Sequence, residues 1–400
     1  MSGWTYMLNV ENIRNDFPIL EDISYMDNAA TSLSPEQVLS SMNEFERHYR
    51  ANVGRGVHRL ANMTSQKYWH AHQRISRFIG GENGTTVLTK NTTEAINMVA
   101  CGTSWNKGDN VVTTILEHHS NYLPWMRLRN RGVDVSVIRT DSQGSFDMGD
   151  FEATINEDTK LVAITHASNV LGNLQPVKEI AAICHENGAK LLVDGAQSVP
   201  HISIDVNKLD CDYLCFSGHK MLGPTGTGVL WMKEEEIKPL LLGGGMIANV
   251  SADDYTLAEG YQQYEAGTPN ISGMIGLARA VEYLEDTGMM NLKRHEDSIT
   301  QRMLTGLRDI EGITVYGPED NSERIGVVSF NVEGLHPHEV AHILDEGAAI
   351  MVRSGEHCCQ PLMEHLGLKS GTVRASLYLY NSKEEVDLLI DTMEELTRRL

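Results

Sequence analysis

KLVAITHASNVLGNLQPVKEIAAICHENGAKLLVD, residues 160–194, decides the fold. It opens on an apolar run (KLVAITH, 160–166), crosses a polar loop, then gives VKEIAAICHENG (177–188) with helical spacing and a terminal Gly188 at a C-cap position. A second apolar run, KLLVD (190–194), closes the unit. Neither run alternates polar and apolar residues, as expected of strands covered on both faces. Strand, helix, strand in this order reads as a βαβ crossover within a parallel sheet.

The same texture extends outward. TTVLT (85–89), NVVTTI (110–115), DVSVIR (134–139) and DYLCFS (212–217) add candidate strands, with helical patterns at TTEAINMVACGTSW and NYLPWMRLRNRG between them. A long helical stretch, 273–310, then leads to shorter runs: ITVYG, RIGVVSFNV, AAIMVRS and TVRASLYLY. Helical patterns at HPHEVAHILDEG and KEEVDLLIDTMEELTRRL interleave them. The expected organisation is an α/β chain with a large domain on a mostly parallel central sheet (21–280) and a small α+β C-terminal domain (281–400). An N-terminal arm (1–20) is expected to pack back on the small domain.

Composition narrows the classes of function. The 400 residues carry 33 basic and 54 acidic side chains, a net charge of −21, which disfavours nucleic acid and anionic membrane surfaces as partners. No apolar run approaches the roughly 20 residues of a spanning helix, and no leader pattern is visible, so a cytoplasmic protein is expected. Six cysteines without a CxxC pair suggest reduced thiols, although Cys358 and Cys359 are adjacent.

Several segments carry chemistry. In CFSGHKMLGPTGTGVLW (215–231), Lys220 lies between a strand end and a glycine-rich turn. No helix follows, which argues against a dinucleotide loop and suits an amine that forms a Schiff base with an aldehyde cofactor. Asp194 ends an apolar strand, a costly place for a carboxylate without a partner; the pyridinium nitrogen of pyridoxal phosphate is such a partner. Gln197, three residues on, can reach that ring's phenolic oxygen. Thr92 and Thr93 open a helix where an anion is favoured, with Ser217 and His219 as further phosphate donors. His118 or His119 can stack on a cofactor ring and move protons, and Asn169 is another polar group beyond a strand end. Each alone has a structural explanation, as cap, loop or satisfied histidine. Their convergence at the carboxyl ends of strands, where open α/β sheets bind ligands, carries the argument.

The last segment is RSGEHCCQPLM (353–363), which places Cys358 on a loop beside His357. Metal ligation by His357, Cys358 and Cys359 competes, but three consecutive ligands fit tetrahedral geometry poorly. His338 and His342, at i and i+4, read better as a solvated helix face, so no metal is expected. Arg374, alone among apolar strand residues, suits a clamp on a substrate carboxylate.

YMDNAATS (25–32), NTTEAIN (91–97), EHHSN (117–121), SNVLG (168–172), VDGAQS (193–198), FSGHKMLGPTGTG (216–228), YEAGTPN (264–270), RSGEHCCQPLM and RASLYLYN (374–381) together resemble the SufS-like cysteine desulfurases. These are fold-type I enzymes of the class-V aminotransferase branch that use pyridoxal 5'-phosphate. The resemblance implies conversion of L-cysteine to L-alanine, with a persulfide on Cys358 that supplies sulfur for iron–sulfur cluster assembly. It implies Lys220 as the Schiff-base lysine, Asp194 at the pyridine nitrogen, Gln197 at the phenolic oxygen and His118 on the ring. It further implies Thr93, Ser217, His219 and, from a neighbouring subunit, Thr268 at the phosphate, with Asn169 and Arg374 at the substrate carboxylate. The implied partners are a second copy in a homodimer and a sulfur acceptor of the SufE/SufU or scaffold type.

Two residues depart from the SufS-like pattern. Glu356 stands where a second histidine is usual, putting a negative charge beside the thiol, and Gly54 stands where a histidine is common. Rate, acceptor choice or preference for selenium over sulfur can differ accordingly. Cys359 replaces a small residue, as bystander, resolving thiol or disulfide partner. A selenocysteine lyase, or a cysteine-sulfinate or cysteine lyase, is the alternative within the fold; a non-catalytic sulfur-relay component is the alternative outside it.

Overall fold

A computed structural model describes residues 8–54 and 56–400; the first seven residues of the expected arm lie outside the described residues. Seven strands build the main sheet: β1 (Thr85–Thr89), β2 (Asn110–Thr114), β3 (Asp134–Ile138), β4 (Thr159–Thr165), β5 (Lys190–Asp194), β6 (Tyr213–Ser217) and β7 (Gly228–Met232). Their order is β1-β7-β6-β5-β4-β2-β3. Only β7 runs against its neighbours; every other pairing is parallel.

The unbroken apolar runs are explained by two cores. Leu191 and Val193 of β5, with Leu214 and Phe216 of β6, enter one cluster, while Leu192, Tyr213 and Cys215 enter another. Successive side chains point to opposite faces of a strand, so both parities must be apolar when both faces are covered. Helices α1 (Arg59–Phe78), α2 (Thr92–Gly102), α3 (Val177–Glu186) and α4 (Ile271–Thr287) supply the cover. Tyr68 and Ile75 of α1, Ile180 of α3 and Leu277 of α4 fill the first core; Ile96 and Val99 of α2 fill the second.

The long helical stretch expected over 273–310 is two helices. Gly288 has φ +83°, a left-handed conformation that ends α4, and α5 (Met289–Arg308) starts afresh beyond it. A second, antiparallel sheet follows, made of β8 (Ile313–Tyr316), β9 (Val327–Val332), β10 (Arg353–Gly355) and β11 (Thr372–Ser376) in the order β8-β9-β11-β10. Helices α5, α6 (Pro337–Ala348) and α7 (Lys383–Arg398) bury Met303, Leu344 and Leu389 with Phe330 of this sheet.

The run AAIMVRS is also divided. Ile350 and Met351 pair in parallel with Ser24 and Tyr25, and only Arg353–Gly355 joins the second sheet. From that pairing the N-terminal chain runs on to β11: Asn28 Nδ2 donates to the Ser376 carbonyl (2.7 Å) and Ala29 N to Ser376 Oγ (2.9 Å). Arg14 also binds this end of the chain, donating to the Tyr380 carbonyl (3.0 Å) and Glu385 (2.8 Å). Among the described residues no helix is long and apolar enough to cross a membrane.

Candidate active site

The carboxyl ends of the parallel strands meet β10 and β11 around a cavity of about 190 Å³. It is lined by nine residues to which the resemblance gives roles: Thr93, His118, Asn169, Asp194, Gln197, Ser217, His219, Lys220 and Arg374. Cys358 and Thr268 are not among its walls. Cys358 is half-buried on the adjoining loop, and Thr268 faces a separate cleft of about 1110 Å³.

Lys220 closes the short 3-10 turn that follows β6. Burial brings its amine down to about 8 from the usual 10.5, with Asp194 acting the other way. Asp194 is the last residue of β5 and is buried; Ala196 N–H donates to its Oδ1 (2.9 Å), and desolvation raises its pKa. Gln197 uses Nε2 on the Ala29 carbonyl (2.8 Å), leaving its buried Oε1 without a hydrogen-bond partner.

Next to this group is the start of α2. Asn91 caps it by accepting from Glu94 N–H (2.9 Å). Gly228 allows β7 to reach this corner, since a Cβ there would meet the Asn91 backbone at 2.5 Å. Ser217 Oγ accepts from Thr92 N–H (2.8 Å) and pairs with Thr92 Oγ1 (2.7 Å), so Thr92 braces the corner while Thr93 stands exposed beside it. Thr93 Oγ1 meets Ser120 Oγ at 2.7 Å, and His219 Nδ1 lies 3.3 Å from Thr31 Oγ1.

His118 is half-buried, and burial depresses its pKa to about 3, with Lys220 adding to the effect. Ser120 N–H donates to its Nδ1 (3.1 Å), so the neutral ring carries its proton on Nε2. Ser120 therefore joins His118 to Thr93, a role that no strand or cap pattern marks. Glu117, the preceding residue, is fully buried. Its Oε1 accepts from Thr114 Oγ1 (2.6 Å) and Thr165 N–H (3.0 Å), and its Oε2 from Asn121 Nδ2 (2.6 Å). Glu117 thus ties the His118 loop to the end of β4, and burial lifts its pKa to about 8.

That shift has a sign that can be tested. A carboxyl whose folded pKa is raised contributes stability that is complete below its unfolded value, 4.5, and lost as pH climbs through the folded value, about 8. Glu117→Gln has no such titration. The unfolding free energy of the variant minus that of the parent should therefore rise between pH 5 and 8, as read by urea titration of the cofactor-free chain. A pH-independent difference would contradict the raised value.

The other end of the cavity is cationic. Arg374 is buried and donates through Nη1 to the Asn169 carbonyl (3.0 Å) and through Nη2 to Asp27 Oδ1 (3.0 Å), while its Nε has no partner. Arg353 lies opposite Arg374 in the sheet register and also lines the cavity. Asn169 faces the cysteine loop: its Nδ2 donates to the His357 carbonyl (2.9 Å) and its Oδ1 accepts from Cys359 Sγ (3.1 Å). His357 (φ 51°) and Cys358 (φ 57°) are both left-handed, a conformation that costs side-chain-bearing residues energy and must be held from outside. His119 N–H holds it by donating to the Cys358 carbonyl (2.8 Å), as does Thr372, whose Oγ1 lies 2.9 Å from His357 Nε2. His338 Nδ1 is engaged with Ser354 Oγ (2.7 Å), and among the described residues no group of three acidic, cysteine or histidine side chains could hold a metal ion.

Comparison with known proteins bears on this geometry. The aminotransferase class-V profile matches residues 24–389, which span both sheets and every wall of the cavity. The chain belongs to that family. Two curated relatives are each named probable cysteine desulfurase. The one from Methanothermobacter thermautotrophicus is 45% identical, with 97% of this chain and 98% of that protein covered. The one from Pyrococcus abyssi is 46% identical, with 98% of each covered. The apo structure of cysteine desulfurase from Thermococcus onnurineus NA1 superposes with a TM-score of 0.95 at 45% identity, covering 100% of both chains.

Pyridoxal 5'-phosphate is the cofactor of class-V aminotransferases, and the residues present fit it. A half-buried lysine with an amine of lowered pKa, a buried carboxylate at a strand end, a helix N-terminus flanked by hydroxyls and the unsatisfied Gln197 Oε1 supply the matching chemistry.

Proposed function

We propose that this class-V aminotransferase is a cysteine desulfurase, converting L-cysteine to L-alanine and passing the sulfur to Cys358 for iron–sulfur cluster assembly. The observation that carries the reading is the sharing of Asn169: the residue that bonds Arg374 through its carbonyl also holds the Cys358 loop through its side chain. A carboxylate site and a thiol loop are thereby built as one piece.

When bound, pyridoxal phosphate is the electron sink that lets a proton leave the substrate Cα. Asp194 would stand at the ring nitrogen, Gln197 at the phenolic oxygen and His118 over the ring. Thr93, Ser217 and His219 would hold the phosphate, together with Thr268 of a second copy. Arg374 and Asn169 take the substrate carboxylate, with the free Nε of Arg374 as one donor. Lys220 would anchor the cofactor and, as the free amine, would accept the Cα proton; an amine titrating near 8 is about one-tenth neutral at pH 7, far more than an ordinary lysine. The Cys358 thiolate attacks the substrate sulfur, its new S–S bond replacing the substrate C–S bond. His118, neutral with its proton on Nε2, can exchange protons with the departing product.

A homodimer is supported by the surface around Thr268. Trp69 and Val250 line the same cleft and are 51% and 66% exposed; Leu241, in an adjoining cleft that also reaches Thr268, is 55% exposed. Apolar side chains gathered in this way mark an interface. The acceptor would be of the SufE/SufU or scaffold type, meeting the half-buried Cys358. A cytoplasmic setting fits six cysteines that are all unpaired. The chain would divide into the arm (1–20), the cofactor-binding domain (21–280) and the small domain with the cysteine loop (281–400).

The test is to load the purified protein with pyridoxal phosphate, add L-cysteine and analyse product and peptides. Alanine should accumulate, and the peptide containing Cys358 should gain one sulfur atom that a thiol reductant removes. Sulfide and pyruvate without a protein persulfide would make the chain a lyase instead.

A further inference from the structure

Cys359 follows the proposed nucleophile but faces a different environment. It is fully buried at the start of the helix Gln360–His365, among Ile115, Leu116, Val170, Leu171, Leu362 and Met363. Its polar contact is the donation from Sγ to Asn169 Oδ1 (3.1 Å). We propose that Cys359 is a positioning residue, whose S–H fixes the Asn169 amide so that its nitrogen serves both the substrate carboxylate and the Cys358 loop. The proposal rests on the reading of Asn169 as a carboxylate ligand.

The physical argument concerns the two faces of an amide. An Asn that turned Oδ1 toward a substrate carboxylate would set two acceptors against each other. With Oδ1 engaged by the Cys359 thiol, Nδ2 is directed to the His357 carbonyl, and its second N–H remains for the substrate. The donor must stay protonated for this to hold. Burial pushes the Cys359 thiol well above the ordinary range, the Asn169 contact opposing only in part, which favours the S–H form. The same property makes it a poor resolving thiol, because thiol exchange needs the thiolate.

Two substitutions separate hydrogen bonding from packing. Cys359→Ser keeps a donor and loses apolar character; Cys359→Val keeps an apolar, slightly larger side chain and loses the donor. Cys359→Ala, which cannot overpack, repeats the Val arm should Val disturb folding. Two readouts are taken: the KM for L-cysteine of the holoenzyme, and the rate at which iodoacetamide alkylates Cys358 in cofactor-free protein, followed by peptide mass spectrometry. Removing the donor should raise KM about 3- to 10-fold, the reach of one hydrogen bond, with kcat changing less. It should speed Cys358 alkylation by a similar factor, while Ser stays within about twofold of the parent in both. The proposal is overturned if Val and Ala match the parent, or if Ser is as impaired as Val. Sulfur trapped on Cys359, or a Cys358–Cys359 disulfide, would also overturn it. The alkylation rates need neither cofactor nor substrate, so they decide the positioning of the loop even if the chain yields no alanine from cysteine.

Discussion

Lys220→Ala stops alanine formation from L-cysteine, with the rate falling at least about 10⁴-fold, the upper end for a positioned acid–base group. Lys220 has two tasks in the proposed reaction, anchoring the cofactor and accepting the Cα proton, and alanine does neither. The lining of the cavity shows no second amine: Arg353 and Arg374 are the other cations there, and guanidinium stays protonated. Loss of fold is a competing explanation of any dead variant, and the depressed pKa of Lys220 gives a control. A base whose folded pKa is about 8 against 10.5 disfavours the folded state below pH 8, and that penalty fades as pH rises through 10.5. Lys220→Met, which keeps the stem, should therefore stabilise the cofactor-free protein at pH 7 by about 1–2 kcal/mol, allowing for partial exposure of the side chain. The gain should vanish in strongly alkaline buffer. An inactive, destabilised Met variant at pH 7 would mean that the lysine serves structure.

The second large effect concerns the thiol. Cys358→Ser should bind cofactor and L-cysteine as the parent does, since Cys358 lies outside the cavity walls. Alanine release should nevertheless fall by about 10⁴-fold, as when a catalytic nucleophile is removed, and no protein persulfide should form. Serine is the informative replacement because it preserves size at a left-handed position (φ 57°) where the backbone is already constrained. Retained turnover in this variant would move the sulfur-accepting role to another residue. Weakened cofactor binding would instead show that the loop belongs to the cofactor site.

Much of this arrangement was legible in residue order. All six candidate strands between residues 85 and 217 are strands of the main sheet; in the inner ones burial on both faces leaves an unbroken apolar signature, while the edge strand Asp134–Ile138 alternates and is only partly covered. Nine residues to which the resemblance gives roles line one cavity, eight of them because strand ends of a parallel sheet converge on one edge, while Arg374 reaches it from β11. What escaped depends on distant partners. Asp27 was given no role of its own, and its pairing with Arg374 is set 347 residues away. Glu117 was passed over beside His118, since its three hydrogen-bond donors come from two strand ends and a turn. The break at Gly288 was available in the sequence, but glycine inside a helical pattern is ambiguous until the chain direction beyond it is known. The division of AAIMVRS between two pairings likewise depends on Ser24 and Tyr25, which nothing in that run announces.

The contacts of Asn28 and Ala29 with Ser376 have a bearing on biosynthesis. Nearly the whole chain separates those residues, so this wall of the cavity closes only after β11 has emerged from the ribosome. Until then Met26, destined for the core of the second sheet, lacks the part of that core supplied by Val373, Ala375 and Leu377. A nascent chain stalled before residue 372 should retain a protease-sensitive N-terminal segment even where the main sheet has formed. Completion of the final thirty residues would make that segment resistant in a single late step.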